Sequence, residues 1–144
     1  MNRARWHMQF RYDARGYGTL RFVDGDIEWE GCCRTGSIDK TGALVNAIPP
    51  GEWLIRARTV PTTEAAMWIA EPGRGWKVRL HRKVGDNWVS SSFLIHPDGG
   101  KPGTAGCIGI QGSDAPELRD IIDQVLNEQA TISVYVSRGA DYAK

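Results

Sequence analysis

His96 and Cys107 are the two residues whose types and spacing best suit them to chemistry. The apolar run Phe93-Leu94-Ile95 ends at His96, and Pro97-Asp98-Gly99-Gly100-Lys101-Pro102-Gly103-Thr104-Ala105 follows as a Gly/Pro-rich loop. That loop delivers Gly106-Cys107-Ile108-Gly109. A thiol nucleophile needs a base to take its proton, and backbone N–H groups to receive the oxyanion that its attack creates. Glycine beside it lets a substrate carbonyl come close to the main chain. The segment offers all three: His96 as base, Cys107 as nucleophile, and the N–H groups near Gly106 and Cys107 as oxyanion donors. A buried structural cysteine beside a surface histidine is the competing reading for an isolated pair. The Gly-Cys-Ile-Gly setting favours catalysis.

Two neighbours stay open. Asp98 is a candidate third member, set against a carboxylate that faces solvent two residues along a loop. Thr104 is a candidate hydrogen-bonding residue, set against plain turn chemistry. A zinc site built on His96, Asp98 and Cys107 is disfavoured, because catalytic zinc takes three protein ligands at characteristic spacing. The chain has no His-x-x-x-His, and Cys32 and Cys33 are adjacent instead of spaced as Cys-x-x-Cys. No metal and no cofactor are expected.

The elements that must position this pair read mainly as strands. Trp6–Tyr12 and Gly18–Val23 alternate or run apolar, with Asp13 and Gly16 marking a turn between them. Asp24-Gly25-Asp26 reads as a hairpin loop before a strand at Ile27–Cys33. Pro49-Pro50-Gly51 introduces Glu52–Ala57, and further strands are expected at Trp76–His81, Val89–Ile95 and Thr131–Val136. A short helix is expected over Thr62–Met67. The main helix is expected at about 114–128: Asp114 and Glu117 have capping-box spacing. Leu118, Ile121, Ile122, Val125 and Leu126 form one apolar face, which should hold the helix behind the Cys107 loop. Most of the six tryptophans read as core, and His7 as a strand-surface residue. The whole chain, 1–144, reads as a single domain, a mainly β antiparallel sandwich or barrel with one late helix.

Composition narrows the classes. Hydrophobic residues at 41% and charged residues at 24% suit a globular protein with a real core. A net charge of +1 without a basic stripe argues against nucleic acid as partner. No apolar stretch reaches the length of a membrane span, and Arg3, Arg5, His7, Gln9 and Arg11 interrupt any secretory signal core. Three cysteines, two of them adjacent, imply no disulfide framework, and Cys107 is expected to carry the lowest thiol pKa.

The His96–Gly109 segment resembles the signature of the L,D-transpeptidase catalytic domain (YkuD-type), in which an Ile-His, a glycine-rich stretch and Ser/Thr-x-Gly-Cys-Ile recur. His96, Thr104, Gly106 and Cys107 fall on the matching positions, and the Pro-Pro-Gly before a strand extends the likeness to about residues 5–137. Ala105 and Gly109 stand where most members carry histidine and arginine, and the loop is short. Both features are similar to the branch of type VI secretion effectors. The resemblance implies a peptidoglycan stem peptide as substrate, a Cys107 acyl-enzyme, and L,D-carboxypeptidase, transpeptidase or exchange activity in the periplasm or cell wall. Export would then be by a secretion system, by phage lysis or by a signal removed from the chain. An effector would also imply an immunity protein as partner. It further implies that strand positions such as His81 and Arg79 face the substrate cleft, Arg79 as a carboxylate clamp; solvent exposure is the alternative for both. Two other readings stay open. One is a phage-lysis-type cysteine endopeptidase or amidase, and the other a non-catalytic wall-binding module that uses its tryptophans.

Overall fold

The computed structural model describes residues 6–62, 75–98, 106–111 and 115–139. Among the described residues, eleven strands and one helix follow in the order β1 (Met8–Tyr12), β2 (Tyr17–Asp24), β3 (Ile27–Arg34), β4 (Ser37–Ile38), β5 (Leu44–Val45), β6 (Gly51–Ile55), β7 (Val60–Thr62), β8 (Gly75–Val84), β9 (Asn87–Pro97), β10 (Ile108–Ile110), α1 (Ala115–Glu128) and β11 (Ile132–Arg138). The main sheet runs β6-β11-β1-β2-β3-β10-β9-β8-β7, and a further pairing of β6 with β8 closes it. The result is an eight-stranded barrel with β7 outside the ring, and closure removes the open edges that invite unwanted pairing. Its ladders are antiparallel except β1 with β11 and β9 with β10.

Local sequence explains the hairpins. Gly16 adopts φ +86°, and a Cβ there would meet the Thr35 carbonyl oxygen at 2.1 Å, so the β1–β2 turn requires glycine. Within the loop expected at Asp24–Asp26, Gly25-Asp26 makes a two-residue connection, with Gly25 at φ +60°. Period-two alternation sends Met8, Phe10, Tyr12, Leu20, Phe22, Trp29 and Cys33 inward, all buried. Trp53, Trp76, Ile95, Ile108 and Ile110 join them in the same core.

α1 carries the expected face: Ala115, Leu118, Ile122 and Val125 are buried, with Ile121 and Leu126 packed against the same cluster. The helix rests on β11, and Asp123 fastens it by accepting hydrogen bonds from Thr59 N (3.0 Å) and Thr59 Oγ1 (2.8 Å). Its expected cap, Asp114, lies outside the described residues. So does most of the short helix expected over Thr62–Met67, whose first residue is strand: Thr62 ends β7.

His7 departs from its expected place on a strand surface. It precedes β1 and is half-buried, its Nδ1 accepting the Ser133 N–H at 3.1 Å while its own N–H donates to Ser133 Oγ at 3.0 Å. Of the tryptophans, Trp29, Trp53 and Trp76 are core.

Candidate active site

The site is assembled on the outer face of β9, β10 and β3. Ile108 pairs with Ile95 and Gly109 with His96 in the parallel β9–β10 ladder. Ile95 and Ile108 are fully buried in the barrel core, so their neighbours His96 and Gly109 point the other way. One residue before Ile108, Cys107 comes opposite Leu94, whose backbone hydrogen-bonds its thiol. His96 and Cys107, eleven residues apart in sequence, are therefore set two residues apart along β9, with Cys107 just ahead of β10.

His96 is 4% exposed, and its Nδ1 lies 2.6 Å from the Pro97 carbonyl oxygen. A carbonyl can only accept, so Nδ1 carries the proton of the neutral ring and the lone pair sits on Nε2. In this tautomer Nε2 is the ring nitrogen at which a proton is taken up.

Burial pushes the Cys107 thiol up, and the hydrogen bond from the Leu94 backbone pulls the other way. The expectation that Cys107 has the lowest thiol pKa of the three gains no support from this raised value: the resting group is a half-buried thiol whose ionisation needs a proton acceptor. Cys33 is pushed up as well, by burial first and then by Cys32. Cys32 is exposed, and none of the three cysteines is in a disulfide.

Asp98 does not face solvent. Its side chain is 6% exposed, its N–H donates to the Ile110 carbonyl at 2.8 Å, and its Oδ2 accepts from Gln111 Nε2. Oδ2 also lies 3.7 Å from Arg34 Nε. Oδ1 is buried without a hydrogen-bond partner among the described residues. Burial raises the carboxyl above its ordinary value, with Gln111, Arg34 and His96 pulling it back down.

The other expected site residues divide. Arg79 pairs with Leu94, which puts it on the site face across Leu94 from Cys107; it is exposed and donates to the Ser91 carbonyl. His81 is not brought to the pair. It faces Ser90 on β9 and Leu54 on β6, six residues along β9 from His96, or about 20 Å of strand. Nor is it solvent-exposed: its Nδ1 is buried without a hydrogen-bond partner among the described residues. Burial and the Arg56 charge lower its pKa. Gly106 adopts φ +82° against the Phe93 ring. Thr104 lies outside the described residues.

Sequence reasoning missed Arg34. The antiparallel β3–β10 ladder pairs it with Gly109, and no local motif signals a residue that far from Cys107. Among the described residues, no three of His, Cys, Asp and Glu gather as a metal site would require. No helix among the described residues is long and apolar enough to cross a membrane. Comparisons with protein-family models, with curated proteins and with solved structures give no match.

Proposed function

We propose that this protein is a cysteine enzyme of the L,D-transpeptidase type that acts on peptidoglycan stem peptides in the periplasm or cell wall. The observation that carries the reading is the His96 tautomer. The Pro97 carbonyl holds the proton of the neutral ring on Nδ1, so a proton from Cys107 would be taken up at Nε2. The Gly-Cys-Ile-Gly block and the Pro-Pro-Gly strand support the substrate class by resemblance.

In this reading His96 Nε2 takes the thiol proton, and the sulfur attacks the carbonyl of the L-configured centre of the diamino acid. Electrons move onto the carbonyl oxygen, which backbone N–H groups near Gly106 and Cys107 receive. Collapse of the intermediate breaks the C–N bond, and the His96 proton leaves with the terminal D-amino acid, giving a thioester at Cys107. Water then yields the shortened peptide and restores the thiol, while a free D-amino acid yields the exchanged one. Ala105 and Gly109 offer no polar side chain for an acceptor stem, which favours hydrolysis and exchange over cross-linking.

The test is mass spectrometry of digested muropeptides. A disaccharide-tetrapeptide should be trimmed to the tripeptide, with exchange when a D-amino acid is in excess, and both reactions should vanish in Cys107→Ala and His96→Ala. New dimers would assign transpeptidation, and cleavage elsewhere in the stem would assign an endopeptidase or amidase. An unchanged profile with retained wall binding would leave a binding module.

A further inference from the structure

Gly109 stands directly across the β3–β10 ladder from Arg34 and directly across the β9–β10 ladder from His96. Because Gly109 has no side chain, the row Arg34–Gly109–His96 has an open centre over which a long side chain can extend. The arginine is held at its own end of that row. Its Nε lies 3.7 Å from Asp98 Oδ2, its Cζ is 5.2 Å from the centroid of the Tyr17 ring, and its side chain is only 17% exposed.

We infer that Arg34 is the specificity-determining cation of this site, reading the free terminal carboxylate of the peptide that Cys107 attacks; the inference rests on the stem-peptide reading above. Asp98 meets Arg34 through Nε, which leaves the terminal nitrogens to present the planar fork that suits a two-oxygen anion. Partial burial strengthens such a pair, because water competes less for both partners. The spacing also fits. Gly109 is two residues beyond Cys107, about 7 Å along the strand, while a terminal carboxylate lies one residue, about 3.8 Å, beyond the attacked carbonyl. A guanidinium swung across Gly109 would reach back over that difference. Reading this carboxylate would separate the terminal bond from internal ones, as release of a single terminal residue demands. Arg79 is the weaker candidate, since it is exposed and its guanidinium is turned to the Ser91 carbonyl.

The experiment compares two stem tetrapeptides, one with its terminal carboxylate and one with a terminal carboxamide, as substrates for the full chain. The wild type should prefer the acid by about tenfold or more in kcat/KM. Arg34→Gln should bring the ratio near one by losing rate on the acid alone. Arg34→Lys, which keeps the charge without the fork, should fall between, and it serves if the Gln variant does not fold. The alkylation rate of Cys107 and the melting temperature, read in parallel, separate loss of recognition from loss of the site. Equal rates on the two peptides in the wild type would overturn the Arg34 assignment alone, as would an unchanged preference in a folded Arg34 variant. Failure of the wild type to release the terminal residue from either peptide would overturn the stem-peptide reading, and this inference with it.

Discussion

The Phe93 ring fills the space that a side chain on Gly106 would need: a Cβ built there lies 2.2 Å from Phe93 Cε1. Phe93 is itself fixed against Trp53, their ring centroids 5.3 Å apart. The residue before the candidate nucleophile is thus pressed onto the barrel, at a φ of +82° that a side chain rarely tolerates. Gly106 was expected to matter for close approach of substrate; the structure adds a partner within the chain.

Gly106→Ala should therefore cost stability as well as turnover. Left-handed backbone alone costs about 1–2 kcal/mol for an L-residue, and the Phe93 clash adds to it. Urea unfolding of Gly106→Ala, Phe93→Ala and the double variant measures the coupling. A double variant less destabilised than the sum of the singles is expected. Strict additivity would show that the ring is not the obstacle.

Iodoacetamide at neutral pH should modify Cys32 before Cys107, because Cys32 is exposed while Cys107 is half-buried with its thiol pushed up. Activity should survive that first modification and fall only with labelling of Cys107, which should accelerate as the pH rises. Peptide mapping alongside turnover checks the order. Inactivation in step with Cys32 labelling, together with an inactive Cys32→Ser, would remove Cys107 as the nucleophile.

Prolonged chelation with EDTA should leave turnover unchanged, since the described residues hold no three-membered group of metal-ligand side chains and the proposed chemistry runs through a thiol. Zinc at one equivalent per chain, with activity lost on its removal and restored on its return, would displace the thiol mechanism.

Asp98 should imprint a pH dependence on stability. Burial raises its folded pKa above the ordinary 3.8, so between that value and the raised one the folded chain holds the proton more tightly than the unfolded chain. Its contribution to stability must then decline as pH rises through this window and level off above it. Subtracting the stability of Asp98→Asn from that of wild type, by urea unfolding at a series of acidic to neutral pH values, isolates the contribution. A difference that grows in favour of wild type with rising pH would mean that folding prefers the ionised carboxylate.

Much of the local structure was legible in the sequence. Alternating residues marked which side of β1, β2 and β3 faces inward, Gly16 and Gly25-Asp26 marked two turns, and the spacing of Leu118, Ile122 and Val125 marked the helix face. Each signal depends on a few consecutive residues and on the period of one element, so no distant partner is needed to read it. The same holds for His96 and Cys107, which stand within one short segment.

Tertiary structure decided the rest. Alternation says which face a residue takes but not which strand lies beside it, and that neighbour is chosen by packing between segments far apart in the chain. Closure of β6 on β8, the parallel pairing of β1 with β11, and the register of β3 on β10 are choices of this kind. They carry His81 away from the candidate pair, bury Asp98, set Phe93 beneath Gly106 and lay Arg34 opposite Gly109. The residues able to react were visible in sequence order. Their surroundings depend on long-range strand register, which a one-dimensional pattern does not encode.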